Sequence, residues 1–333
     1  MIRTIDAHAG GGAVRLVIDG FPSPRGRTMN EKRAWLGRKA EPLRRMLMLE
    51  PRGHADMCGA VLTEPVAPGS HAGVLFFHNA GYSSMSGHGV IAVTTIALER
   101  GLIMPGGDGA TLALDTPAGT IRATARWAGE TGGAGRVDGV TFVNVPSFVL
   151  HAGLPVAMGL RKFRADVAYS GAFYAIVDSE AVGLPIDGAH LPELRRAGVA
   201  IVRAIEEIHT IAHPLDPEID HLAGTIFTAP PSDDRAALKT VTISAQGQAG
   251  RSPGGTASGA VMAVLDAMGL VGDDTPFVHE SVIGTRFTGR ISGRTMVGDY
   301  PAIVPEIEGA AWITGEHTFV VGTGDPLADG FRV

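Results

Sequence analysis

The sequence predicts an α/β protein of two pseudo-repeated lobes, each a curved sheet around one central buried helix. Short apolar runs typical of β-strands, separated by Gly and Pro clusters, recur along the 333 residues. Regular alternation of strands and helices is missing, which disfavours a doubly wound parallel sheet. Two helical segments, 90–98 and 260–265, are apolar on nearly all sides, so each must be buried. Because each follows a Gly-rich loop, the two halves are expected to repeat one plan.

The N-terminal half begins with alternating apolar residues over 2–18, which predict strands. Thr28 begins a predicted helix that reaches Leu49, and Pro42 is expected to kink or split it. The first apolar helix follows the Gly-rich loop at 86–88 and is predicted to end at Gly101. Further short strands are predicted at 61–62, 74–78, 111–114, 120–123 and 140–145. A polar, Gly-rich stretch at 129–135 predicts a boundary nearby, so the first lobe is assigned to residues 1–130.

The second lobe is assigned to residues 131–304. A helix is predicted over 192–208, with Pro192 in its first turn, where the missing N–H has no structural cost. The second apolar helix is predicted to end near Gly269. Strands are predicted at 167–169, 173–177, 225–228 and 239–244, followed by short β runs from 282 to 321.

Composition and charge exclude several classes of protein. The net charge is −6 and no basic block occurs, so a nucleic-acid partner is not expected. Neither an apolar signal segment nor a run of about 20 apolar residues is found, so we expect a cytoplasmic protein without membrane contact. Cys58 is the only cysteine, which excludes an intramolecular disulfide. It is predicted to be a buried, inert thiol.

The two Gly-rich loops at 86–88 and 254–256 each supply a helix start. A helix start has unpaired backbone N–H groups and a partial positive charge, and glycine lets a ligand approach that backbone closely. We predict that the two starts face one another and hold one small anion. A carboxylate fits better than a phosphate, because no Lys follows either loop. For one loop a simple turn would be the better interpretation, but two such loops favour the anion site.

Two sets of polar residues are candidates for chemistry. Ser86 lies where a helix-start base or nucleophile would lie, although a lone serine there is usually a cap. His88 could polarise Ser86 or contact the ligand. His209, His213 and His221 could suggest a metal site, but Pro214 ends the helix and no HExxH pattern occurs. No metal site is therefore predicted.

A series of short motifs spans nearly the whole chain. They are Ile5-Asp6-Ala7-His8, Glu50-Pro51-Arg52-Gly53-His54, Gly81-Tyr82, Ser86-Gly87-His88-Gly89, Asp115-Thr116-Pro117-Ala118-Gly119, Asn144-Val145-Pro146-Ser147-Phe148, Phe173-Tyr174, Arg251-Ser252-Pro253, Gly255-Thr256 and His279-Glu280-Ser281. In this order they resemble the proline racemase family, which includes proline racemases, 4-hydroxyproline 2-epimerases and trans-3-hydroxy-L-proline dehydratases.

The resemblance implies a fold like that of diaminopimelate epimerase. Two α/β lobes would enclose a ligand cleft, with roughly 305–333 returning to complete the first lobe. The chemistry would use no cofactor, neither a metal ion nor pyridoxal phosphate. In racemases and epimerases of the family, two cysteines flank Cα of the substrate, and the substrate carboxylate lies on both helix starts.

This sequence departs from that pattern at four positions. Ser86 is at the position of the first cysteine, and Gly254 is at that of the second, where dehydratases usually have Thr. Gly250 replaces an Asp that contacts the ring nitrogen of the substrate, and Ala257 replaces a customary Gly. The substrate-binding positions that the resemblance implies here are Gly87, His88, His221, Gly255 and Thr256.

These departures select among three hypotheses for function. Gly254 carries no proton, which disfavours racemisation by two bases. The first hypothesis is dehydration of trans-3-hydroxy-L-proline or a close analogue, with Ser86 as base and His88 and the helix start activating it. The second is a 4-hydroxyproline 2-epimerase or proline racemase with water on the second face. The third is a catalytically degenerate binder of a cyclic amino acid, and a homodimer is a candidate assembly throughout.

Overall fold

The computed structural model describes residues 1–105, 107, 109–129, 135–273 and 275–332. It is an α/β protein, which confirms the predicted class. The chain divides into two compact units. Unit 1 comprises Met1–Phe142 and the C-terminal segment from Gly309, and unit 2 comprises Val143–Glu308. The predicted lobe boundary at 130/131 lies outside the described residues.

Among the described residues, no helix has the length and apolar character needed to cross a membrane.

Unit 1 is a sheet folded around one apolar helix. Its helices are α1 (Met29–Lys39), α2 (Glu41–Met48) and α3 (Gly87–Glu99). Its strands are β1 (Ile2–Ala9), β2 (Gly12–Asp19), β3 (Cys58–Thr63), β4 (Ala72–His78), β5 (Gly81–Ser83), β6 (Thr111–Thr116), β7 (Gly119–Trp127), most of β8 (Val137–Val143) and β17 (Ala311–Phe319). The predicted helix from Thr28 is split at Ala40, with Pro42 in the first turn of α2, as expected for a proline.

The strand order of unit 1 explains why α3 is buried. Hydrogen bonds join the strands in the order β17, β1, β2, β3, β4, β6, β7, and the pairs β2/β3 and β4/β6 are parallel. Helix α3 contacts β17 and β7, which lie at opposite ends of this row, so the sheet curves around the helix. From Gly87 to Leu98 every residue of α3 except His88 is buried. Such a helix is stabilised mainly by removing its apolar surface from water.

Unit 2 is a ring of strands around a second apolar helix. Its helices are α4 (Ser179–Val182), α5 (Leu191–Glu206) and α6 (Gly255–Ala267). Its strands are β9 (Ser147–Met158), β10 (Arg161–Tyr169), β11 (Phe173–Asp178), β12 (Leu222–Ala229), β13 (Leu238–Ser244), β14 (Phe277–Ser281), β15 (Arg286–Val297) and β16 (Tyr300–Gly309).

The ring of unit 2 runs from β9 to β16 in chain order. Only β11/β12 and β13/β14 are parallel among these pairs of described strands, and β16 pairs with β9 at Phe148 and Ala302 to close the ring. Helix α6 contacts β9, β10, β11 and β15, and it is buried from Gly255 to Val264.

A buried arginine ties together distant segments of unit 1. Arg15 is 7% exposed, and its guanidinium contacts both carboxylate oxygens of Asp6, with a shortest distance of 2.8 Å. It also donates to the carbonyl oxygens of Leu47 and Arg52, both at 2.7 Å. The same group lies over the ring of Phe319, 4.3 Å from its centroid. One side chain thus joins β1, β2, α2 and the C-terminal strand β17.

We predict that Asp6→Asn lowers the free energy of unfolding by about 3 kcal/mol, because it leaves a buried guanidinium without its counter-charge. Urea denaturation measures this value. Asp273→Asn is the control, since Asp273 pairs with Arg294 at an exposed position and its loss should cost less than about 1 kcal/mol. Equal losses in the two variants would contradict a structural role for the Arg15–Asp6 pair.

Candidate active site

Ser86 is the residue that begins α3. Its side-chain oxygen accepts a hydrogen bond from the N–H of Gly89 at 3.2 Å, and its carbonyl accepts from Val90 at 2.8 Å. These are the bonds of a helix cap, as the sequence predicts for a lone serine. Position 89 must be glycine, because a Cβ there would lie 2.5 Å from the Phe76 ring and 2.8 Å from Ser86 Oγ. The glycine therefore brings the helix backbone against the serine hydroxyl.

Two further polar groups surround the hydroxyl of Ser86. His88 Nδ1 lies 3.4 Å and Cys58 Sγ lies 3.7 Å from Ser86 Oγ. Desolvation lowers the pKa of His88 to about 4, so its imidazole is neutral at pH 7 and Nδ1 is able to accept the serine proton. Burial raises the pKa of Cys58 to about 11, and the hydrogen bond to Ser86 opposes part of that rise. The thiol is therefore protonated at neutral pH.

Cys58 is a neighbour that the sequence does not reveal. It lies on β3, where it pairs with His78 on β4, and the turn after His78 leads through β5 into the Ser86 loop. Strand pairing thus brings together two residues that are 28 positions apart. The thiol is buried, as predicted, but it contacts the candidate base and is not surrounded by apolar groups alone.

The first turn of α3 presents unpaired donors. Within the described part of the chain, the backbone N–H groups of Gly87 and His88 have no hydrogen-bond partner. Together with the partial positive charge of the helix start, they form a local site for an anion. The structure thus brings Ser86, Gly87 and His88 together within unit 1.

The start of α6 is built differently. Gly254 precedes the helix with φ +77° and provides no side-chain cap. Its carbonyl accepts from both the N–H and the hydroxyl of Ser258, each at 2.8 Å. Ser258 Oγ also lies 2.7 Å from Nδ1 of His279, whose Nε2 contacts the hydroxyl of Thr240. Desolvation lowers the pKa of His279 to about 3, so a neutral buried imidazole holds this turn in place.

Thr256 is the polar side chain in the first turn of α6. Its hydroxyl lies 3.3 Å from the phenolic oxygen of Tyr174 on β11, and desolvation raises the pKa of that phenol. The N–H groups of Gly255, Thr256 and Ala257 have no partner among the described residues. Unit 2 thus also offers a helix start to an anion, with Tyr174 orienting its threonine.

Gly250 and Gly254 differ in whether the backbone and the space around them would accept a side chain. The N–H of Gly250 donates to the carbonyl of Thr242 at 2.8 Å. The atoms nearest to an added Cβ at 250 would belong to Thr242 and Ser252, at 3.5 Å or more, so a Cβ would fit there. Gly254 instead has a left-handed backbone that side chains rarely adopt.

His209, His213 and His221 are the histidines of unit 2 that the sequence offers as candidates for binding. His221 is exposed and contacts Asp220, with Nδ1 3.1 Å from a carboxylate oxygen, and its predicted role in binding substrate stays a prediction. Helix α5 ends at Glu206, so His209 and His213 do not share a helix face as the sequence suggests. His213 packs against the ring of Tyr169, 4.6 Å between centroids. Across the described ranges, no three His, Cys, Asp or Glu residues are placed to hold a metal ion.

The family model of proline racemase matches residues 4–332 of this sequence. The chain belongs to the proline racemase family. The resemblance drawn from the short motifs is thereby confirmed.

Relatives within the proline racemase family carry two kinds of name. A trans-3-hydroxy-L-proline dehydratase of Azospirillum brasilense is 40% identical over 333 residues, covering 100% of this chain and 98% of the relative. A 3-hydroxyproline 2-epimerase of Burkholderia multivorans is also 40% identical, with the same coverage of both chains. Identity alone therefore does not separate lyase from isomerase.

A solved structure of the proline racemase family has the same fold. It is a hydroxyproline epimerase from Agrobacterium vitis with bound trans-4-hydroxy-L-proline. The two structures match with a TM-score of 0.90 at 32% identity, covering 100% of this chain and 95% of the epimerase.

We predict that Cys58 reacts slowly with thiol reagents in the native protein. A pKa of about 11 leaves about one thiol in a thousand ionised at pH 8, and burial restricts access further. The rate of reaction with iodoacetamide, followed by mass spectrometry, should rise steeply with pH and be far greater in denaturant. Ser86→Ala removes the hydrogen bond that lowers the pKa of Cys58, so it should make the reaction of the native protein slower still. Fast native labelling at pH 7 would contradict this environment.

Proposed function

We propose that this chain is a cofactor-independent lyase that dehydrates trans-3-hydroxy-L-proline or a close analogue. The observation that carries the proposal is the environment of Ser86 Oγ, which lies on a helix start and 3.4 Å from a neutral His88 Nδ1. Position 254, at the other helix start, has no side chain that could carry a proton. Proton chemistry is then confined to one face of the substrate.

The proposed substrate suits a site with one active face. In trans-3-hydroxy-L-proline the hydroxyl is trans to the carboxylate, so it lies on the same ring face as the α-proton. A base on that face can remove the α-proton and return a proton to the departing oxygen. Racemisation instead needs a proton donor on the opposite face. The stereochemistry thus favours elimination over inversion at a site built like this one.

The reaction begins with the substrate carboxylate on the unpaired N–H groups. We propose that Gly87 and His88 of α3 and Gly255 and Thr256 of α6 bind one carboxylate in a cleft, where they stabilise the charge that develops as Cα loses its proton. His221 remains the proposed further contact to substrate. The missing carboxylate at Gly250 weakens the hold on a cationic ring nitrogen, which leaves room for an analogue of proline.

The proton transfers balance around Ser86. As Ser86 Oγ takes the α-proton, its own hydroxyl proton moves to Nδ1 of His88. The electron pair of the Cα–H bond forms the Cα=Cβ double bond and the β-hydroxyl departs. The His88 proton then passes to the departing hydroxide and makes water. The cyclic enamine product rearranges to the imine in solution.

The pseudo-repeat of the two lobes is part of this proposal. Both units have the same succession of strand pairs, namely two antiparallel, one parallel, one antiparallel, one parallel and one antiparallel. The apolar helix lies between the fifth and sixth strands of that succession in each unit. This correspondence supports one ancestral plan with one helix start per lobe.

The second candidate is an epimerase with water as the acid on the second face. A 3-hydroxyproline 2-epimerase at 40% identity favours it, and the phenol of Tyr174 beside Thr256 is a polar group on that side. The third candidate is a binder without turnover. Proton NMR in D2O separates the three, because elimination, inversion and simple binding give different products.

We predict that trans-3-hydroxy-L-proline loses its hydroxyl in D2O and forms the imine without accumulation of an epimer. Ser86→Ala should lower kcat by about 10³-fold or more, as expected for loss of a general base. Arg294→Lys is the control, since it changes an exposed ion pair far along the chain and should leave kcat unchanged. Deuterium incorporation with inversion would contradict the lyase, and full activity of Ser86→Ala would contradict the base.

We predict that kcat/KM stays high down to about pH 5 and falls as the pH passes through about 4. The reason is that His88 must be neutral to accept the serine proton, and burial lowers its pKa to about 4. An ordinary histidine would give a fall near pH 6.5. Circular dichroism over the same range controls for unfolding. His88→Asn should lower kcat and remove this acid limb, and an unchanged limb in that variant would contradict the assignment.

A further inference from the structure

Gly254 is enclosed on one side by a single side chain. A Cβ added at 254 would lie 3.2 Å from Cβ of Ala257 and 4.0 Å from the Ala257 nitrogen, and apart from the two chain neighbours no other described residue comes within 4 Å. Ala257 is 2% exposed in the first turn of α6. Its methyl group has no rotamer through which it could move aside. Any side chain at 254 therefore meets an obstacle that belongs to the helix itself.

The backbone at Gly254 is also fixed. Its carbonyl is held by two bonds from Ser258, and the buried His279 holds the Ser258 hydroxyl. The φ of +77° is therefore a property of a bonded turn and not of a free loop. L-residues are strained in this region, and β-branched ones are strained most.

We propose that Ala257 and the positive φ of the turn together keep position 254 a glycine, and that residues 254 and 257 give the α6 start its role as a binder without an acid. The inference deepens the proposed function and rests on it. Gly250 provides the contrast, because a Cβ would fit there without meeting Ala257. The absence of an acid at 254 is then a matter of packing, and a single substitution would not restore it.

Stability tests the packing half of this proposal without reference to activity. We compare the melting temperatures of Gly254→Ala, Ala257→Gly and the double variant. Gly254→Ala should lower the melting temperature by about 3 to 6 °C. The decrease in the double variant should be smaller, by at least about 2 °C, than the sum of the decreases in the two single variants. The matched control combines Gly250→Ala with Ala257→Gly, which should be additive. Additive losses at 254 and 257 would overturn the proposal.

Activity tests the chemical half. Gly254→Cys with Ala257→Gly should invert Cα of 4-hydroxyproline, measured by deuterium incorporation and chiral chromatography, at least about 10-fold faster than Gly254→Cys alone. Cysteine is the probe because it is not β-branched. If Gly254→Cys alone inverts Cα as fast as the double variant, the coupling is overturned. The coupling is also overturned if the wild type dehydrates its substrate and the double variant folds stably but does not invert Cα. If the wild type has no dehydratase activity and the stability coupling is nevertheless present, the proposed function is wrong. The packing of residue 254 against Ala257 is then still supported.

Discussion

A helix that is buried on every side has no water for the N–H groups of its first turn. An unpaired buried N–H costs roughly 1 to 3 kcal/mol, so each such group needs a partner or a purpose. In α3, Ser86 Oγ accepts a hydrogen bond from the N–H of Gly89, while the N–H groups of Gly87 and His88 remain unpaired among the described residues. The curved sheet of unit 1 buries this helix, and Gly89 lets its first turn pack against Phe76 and the hydroxyl of Ser86. A bound carboxylate would recover the lost hydrogen bonds.

The two helix starts meet this constraint with different chemistry. At the start of α3, the hydroxyl oxygen of Ser86 lies 3.4 Å from the imidazole of His88 and 3.7 Å from the thiol of Cys58. The start of α6 is held by a glycine carbonyl, a serine and a buried histidine, none of which projects a proton carrier at position 254. In the proposed function, the α3 start moves protons and the α6 start holds charge. That asymmetry is the physical basis for preferring elimination to inversion.

Local patterns predict the elements of this fold well, because they depend on residues near in sequence. The apolar runs predict α3 and α6, and Pro42 predicts the break between α1 and α2. Contacts that depend on strand pairing are not visible in the sequence. Cys58 reaches Ser86 only because β3 pairs with β4, and Tyr174 reaches Thr256 across 82 residues.

Histidines show the same limit. His209 and His213 have the spacing of helical metal ligands, but α5 has already ended before them. His213 instead packs against aromatic rings. His279 carries no catalytic signal in the sequence, yet it fixes the turn at Gly254 through Ser258. Spacing predicts a shared face only where the helix persists, and a buried histidine is revealed only by its partners.

Serine is a weak acid, so a serine base needs an environment that stabilises its deprotonated oxygen. When the proton of Ser86 moves to His88, the charge on Oγ meets the N–H of Gly89 at 3.2 Å and the thiol of Cys58 at 3.7 Å. The N–H belongs to the positive end of α3, and the thiol is a neutral group that burial keeps protonated. The same thiol also donates to the carbonyl oxygen of Gly59 at 3.6 Å. The single cysteine thiol of the chain thus lies 3.7 Å from the oxygen of the proposed base.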